Sequence, residues 1–233
     1  MASLSKNARI AGALYILFSL FGIVRLVYIP NTLFASSDPA TRANAIVAHE
    51  LLFRFGIVSE LISAAGWLFV TLALYRLLKG VNQGVAVLMV ILGSLMVTPL
   101  FFMNSVNDGA ALLFARGGDF LSVFDKPQRD AFVMLFLRLH HYLDLANEIF
   151  WGLWLLPLGF LVYKSRFLPR LLGIWLMIAC FAYLAMSVTG FMWPQYEDKL
   201  WNMMSPITAG ELLFAFWLVI MGAKERTQAA TRL

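Results

Sequence analysis

LLGIWLMIACFAYLAMSVTGFM, residues 171–192, contains no Asp, Glu, Lys or Arg. A helix rises about 1.5 Å per residue, so roughly 20 apolar residues cross a hydrocarbon core about 30 Å thick. Similar runs lie at residues 10–29, 55–78, 85–103, 142–163 and 207–222. The whole 233-residue chain is 61% hydrophobic and only 13% charged, against about 25% charge in soluble domains. A water-soluble fold would have to place that apolar excess on its surface. The expected fold is therefore all-α: a single domain, 1–233, forming an integral membrane bundle of about six transmembrane helices.

The formal net charge of +5 is distributed by topology. Basic residues cluster between the apolar runs at Lys6/Arg9, Arg76/Lys79, Lys164/Arg166/Arg170 and Lys224/Arg226/Arg232. With six spans all four clusters fall on one face, which the positive-inside rule makes the cytoplasmic face, with both termini there. They form no patch interleaved with aromatics, so nucleic acid is not an expected partner. The chain has one cysteine, Cys180, which rules out an intrachain disulfide and a thiolate metal cluster. The first run is long enough to span and lacks a small-residue cleavage site. It reads as a retained span rather than a cleaved signal.

The remaining loops carry start signals. Asp38-Pro39 predicts a helix running to Glu50 along the membrane surface. Asp125 and Pro127 predict that the fourth helix begins well before Tyr142. Between them, residues 104–124 contain Asn107-Asp108-Gly109 and Arg116-Gly117-Gly118 and read as an irregular loop with one or two short helical turns. Pro157 is the central kink expected from the sequence.

Self-comparison suggests an internal repeat. Residues 46–55, IVAHELLFRF, match residues 207–216, ITAGELLFAF, at seven of ten positions. The same offset pairs Arg9-Ile10-Ala11-Gly12 with Arg170-Leu171-Leu172-Gly173. The first and third helical hairpins thus look related. Ala146-Asn147-Glu148-Ile149-Phe150 echoes the motif in the middle pair, so three related hairpins are a further expectation.

Two stretches, AHELLFRFGI at residues 48–57 and LGFLVYKSRFLPRLLG at residues 158–173, carry a family resemblance. They resemble the membrane family called "domain of unknown function 4386" over nearly the whole chain. The resemblance implies a bacterial cytoplasmic (inner) membrane protein and supplies no activity.

Ionisable groups inside a span are expensive and mark functional hypotheses. By helical rise, Glu60 and Glu148 lie roughly 24 Å from the basic clusters on their own helices, and Glu211 roughly 20 Å. Arg25 reaches the same layer. On the fourth helix, His140, Asp144, Asn147, Glu148 and Trp151 share a face, with His141 at its edge. Asn104 and Asp108 come from the end of the third run. Together Arg25, Glu60, Asn104, Asp108, His140, His141, Asp144, Asn147, Glu148 and Glu211 form the expected intramembrane polar cluster, with an acid excess. That excess calls for protonated carboxylates or a bound cation.

Three readings remain open. One is a binder or transporter of a small cation, proton or cationic solute. Another is an intramembrane metal-dependent hydrolase of a lipid-like substrate, with His140, His141, Asp144 and Glu148 holding a divalent metal such as zinc. The third is a non-catalytic membrane sensor or partner, in which the charges form a structural ion-pair network. No HExxH pattern and no Gly-rich phosphate loop occur in the chain. Membrane lipid and a second copy of the chain are the expected partners.

Overall fold

The computed structural model describes residues 4–223, and among them every regular element is helical. Lys224/Arg226/Arg232 lie outside the described residues. Six helical segments are long and apolar enough to cross a membrane: Leu4–Leu33, Glu50–Leu78, Gln83–Arg116, Lys126–Ser165, Arg170–Met192 and Pro194–Ile220. Large apolar side chains face outward on these segments, including Phe69, Phe181 and Ile220, each at least 60% exposed. A helix satisfies most of its own backbone groups, as hydrocarbon requires. The protein is a polytopic membrane bundle.

Its helices are α1 (Leu4–Ile23), α2 (Ile29–Leu33), α3 (Pro39–Ala48), α4 (Glu50–Leu78), α5 (Gln83–Val90), α6 (Val97–Arg116), α7 (Lys126–Leu153), α8 (Leu155–Ser165), α9 (Arg170–Met192), α10 (Glu197–Thr208) and α11 (Gly210–Ile220). Neighbouring spans pack in chain order, and α11 closes the ring against α1. Helix α3 lies on α6 and α7 at the face opposite the termini.

The start signals act as expected. Asp38 caps α3, accepting from the Thr41 amide at 2.8 Å and its hydroxyl at 2.7 Å. These bonds hold the exposed Asp38 carboxyl below its ordinary value. Asp125 and Gln128 form a capping box, so α7 runs on continuously from the loop into the membrane. The motif YKSRFLP is a hairpin turn. Ser165 Oγ donates to Val162 O at 2.8 Å and accepts from the Leu168 amide at 3.3 Å. Arg166 takes the left-handed conformation that ends α8, and Pro169 starts α9.

Two regions depart from expectation. Residues 104–116 are helical, not an irregular loop: α6 continues to Arg116 before Gly117 ends it at φ 68°. The turn-forming Asn107-Asp108-Gly109 is overridden because Asn104 and Asp108 find buried partners on other helices. Kinks are also more numerous than Pro157 alone. The helix widens into π turns at Val24–Tyr28, just before Pro30, and at Ile91–Leu95, before Pro99. The break at Trp154 precedes Pro157. Proline has no N–H for the carbonyl four residues back, so each site must rearrange locally.

Candidate functional site

The cluster grows from the π turn in the first span. The wide turn carries Arg25 inward, where it is 4% exposed. Arg25 Nε and Nη2 donate to Asp108 Oδ2 and Oδ1 at 2.6 and 2.7 Å. This two-bond fork matches guanidinium to carboxylate. Asp108 is fully buried on α6.

His140 on α7 sits against this pair. Its Nδ1 lies 3.1 Å from Asp108 Oδ1 and 3.1 Å from Arg25 Nη2. Its Nε2 points the other way, 3.4 Å from Asp144 Oδ2 and 3.9 Å from Glu60 Oε1. Two tautomers suit this setting. If Nδ1–H donates to Asp108, Nε2 presents a lone pair between Glu60 and Asp144. If Nδ1 accepts from Arg25, Nε2–H donates to Asp144. Asn104 Nδ2 donates to Asp144 Oδ1 at 2.8 Å and steadies that carboxylate.

Two spaces meet at this cluster. A small chamber of about 50 Å³ is lined by Glu60, Ser63, His140, Asp144, Phe101 and Trp151, among others. A cavity of about 790 Å³ lies between the first, fourth and sixth spans and extends to the loops opposite the termini. Arg25, Leu26, His140, Asp144 and Trp151 line both. Several buried polar atoms have no hydrogen-bond partner among the described residues, including Glu60 Oε2, Asn104 Oδ1, Glu148 Oε2 and both side-chain atoms of Asn147. Such atoms cost about 1–3 kcal/mol each unless something satisfies them.

Geometry sorts the ten expected residues. Arg25, Glu60, Asn104, Asp108, His140 and Asp144 come together. Asn147 is buried near them, and Glu148 lines the large cavity. His141, half-exposed, lines the large cavity instead, with its Nε2 3.2 Å from Glu197 Oε1. Glu211 stands apart, accepting from Tyr15 Oη at 2.5 Å, with Tyr183 as a second hydroxyl partner. The group whose ligand atoms all lie within 4.8 Å of one another is Glu60, Asp108 and His140. That set differs from the sequence expectation of His140, His141, Asp144 and Glu148, because helical spacing cannot see contacts from α4 and α6. Sequence reasoning also missed Arg42, Arg138, Asp198 and Trp201 on the cavity wall. Only folding brings α3 and α10 beside α7.

A family model described as "Domain of unknown function (DUF4386)" matches residues 10–222, so the chain belongs to that family. An uncharacterized protein of Archaeoglobus fulgidus is 43% identical over 82 residues, covering 35% of this chain. The match spans 47% of that relative's length, about half. No solved structure matches the chain.

Proposed function

We propose that this DUF4386 protein binds a small divalent cation, zinc being the first candidate, in the chamber between Glu60, His140 and Asp144. The observation that carries the reading is the ligand spacing around His140 Nε2, 3.4 Å to Asp144 and 3.9 Å to Glu60. Zinc bonds of about 2.0–2.2 Å at tetrahedral angles set ligand atoms about 3.3–3.5 Å apart. One ligand distance fits, the second needs to close by about 0.5 Å, and Glu60 and Asp144 must also draw together on the ion, since the triad within 4.8 Å has Asp108 in place of Asp144. Asp108 takes the orienting role, holding Nδ1 so that Nε2 faces the chamber. The unpartnered Glu60 Oε2 gives the carboxylate a second oxygen for the ion.

The basic clusters at Lys6/Arg9, Arg76/Lys79 and Lys164/Arg166/Arg170 favour cytoplasmic termini and an outward-facing cavity. The family resemblance supports a bacterial inner membrane as the location. A second reading, metal-dependent hydrolysis of a lipid-like substrate, is favoured by the wide cavity beside the chamber, which supplies room for a substrate at an open coordination position.

Equilibrium dialysis of full-length protein in detergent against zinc tests the proposal. Wild type should bind close to one equivalent, and Glu60→Gln and His140→Ala should each lose at least tenfold in affinity. Equal binding in all three proteins, or none in wild type, sinks it. Zinc flux in proteoliposomes separates a carrier from a resident-metal protein.

A further inference from the structure

Three arginines line the large cavity, and two of them, Arg42 and Arg138, stand apart from the pair that Arg25 makes with Asp108. Arg42, on α3, is anchored by its Nε to Ser36 O at 2.5 Å and by its Nη2 to Phe34 O at 3.2 Å. Its Nη1 reaches the Met134 thioether at 3.9 Å, and the guanidinium lies over the Phe34 ring at 5.6 Å. Arg138, on α7, lines the same cavity and has no hydrogen bond or ion pair among the described residues. Partial burial and the charge of Arg138 both push the Arg42 guanidinium below the ordinary arginine value. Two guanidiniums on one cavity, Arg42 held by its carbonyl partners and Arg138 exposed, repel each other, and an anion between them removes that cost.

The rest of the cavity is asymmetric. Glu197 and Asp198 stand on the α10 wall, and Glu197 is already engaged by His141. Leu26, Phe34 and Trp201 supply apolar surface. Toward the termini the sixth span packs on the first through α11, whereas α10 packs on α9 and the cavity lies between α10 and the first span. An apolar chain entering from the lipid would pass between α10 and the first span, and its anionic group would then meet the arginines of the cavity.

We infer that Arg42 and Arg138 bind a phosphate group in this cavity, carried either by a lipid head or by free phosphate. A guanidinium fork matches phosphate oxygens bidentately, and two forks suit a dianionic phosphomonoester. Ser37 lines the same cavity and adds a hydroxyl donor. The site is separate from the cation chamber and uses none of its ligands.

The test is calorimetric titration of the full chain in neutral detergent with EDTA present. The probes are a short-chain phosphatidic acid, inorganic phosphate and a short-chain diacylglycerol. Phosphatidic acid should bind wild type, and Arg138→Gln and Arg42→Gln should each weaken it at least tenfold. Lys79→Gln, on the opposite face, should leave it unchanged, and diacylglycerol should not bind. Inorganic phosphate at least tenfold weaker assigns the site to a lipid head, and equal affinity assigns it to free phosphate. Arg138 has no partner to lose, so Arg138→Gln keeps the test clean if Arg42→Gln loosens the linker before α3. Absence of binding by both phosphate probes, or undiminished binding in Arg138→Gln, overturns the inference. His140→Ala should retain phosphate binding, which separates this outcome from the fate of the cation site.

Discussion

At the level of Trp154 the bundle is closed by rings. Tyr15 meets Trp67 edge-on at 4.9 Å, Trp154 at 6.0 Å and Phe214 at 6.5 Å. Gly159 and Gly173 let α8 and α9 touch backbone to backbone. About 21 Å along the same helix, at His140, the interior is instead a charged layer. That layer is sandwiched on four spans. On the first, second, third and fourth spans respectively, the polar residues Arg25, Glu60, Asp108 and His140 stand between the large apolar cluster and a second one containing Ile29, Phe53, Ala111 and Val133. The fifth and sixth spans join only the large cluster. One half of the bundle buys stability from shape, and the other holds charges in place beside open space.

Cutting the charged layer should do the most damage. Asp108→Ala leaves Arg25 buried and unpaired, which costs about 3–5 kcal/mol. Thermal unfolding in detergent should show it, and the double variant Arg25→Met/Asp108→Leu should recover much of the loss. A double variant as unstable as Asp108→Ala would mean that the pair is not the source. In the close-packed half, a Cβ at Gly173 would sit 2.6 Å from Gly159 O and 2.7 Å from Tyr163 N, both backbone atoms. Gly173→Ala should cost about 1–3 kcal/mol in the same assay while leaving zinc binding intact. Loss of zinc affinity there would show that the two halves are coupled.

The smallest effect belongs to the surface. Asp38 has its carboxyl held low by Thr41, so its contribution is present above the ordinary carboxylate range and fades as pH falls through the lowered value. Asp38→Ala should speed amide exchange in α3 at neutral pH and abolish that pH dependence, with the spans unaffected. Exchange across all of α4 in step with α3 would contradict a purely local cap.

The six spans and both helix starts were legible because they depend on local signals: apolar run length, Asp before Pro, and the Asp125–Gln128 spacing. The depth of Arg25 and Glu60 was legible from helical rise, whereas Asp108 was placed only at the loop end of the third run. Their partners were not legible. Asp108 reads locally as part of a turn, and only Arg25, eighty-three residues away in sequence, makes it helical and buried. His140 and His141 are adjacent in sequence, yet one faces the core and the other Glu197. The aligned Glu50 and Glu211 likewise diverge. Glu50 pairs with Arg54 at 2.7 Å near the surface, whereas Glu211 binds a buried tyrosine.

X-ray absorption at the zinc edge on full-length protein loaded with one equivalent is the most direct test of the cation chamber. The account predicts four or five light-atom ligands including one imidazole, with the imidazole scattering lost in His140→Ala and retained in His141→Ala. An imidazole signal that survives His140→Ala, or one that disappears in His141→Ala, would contradict it.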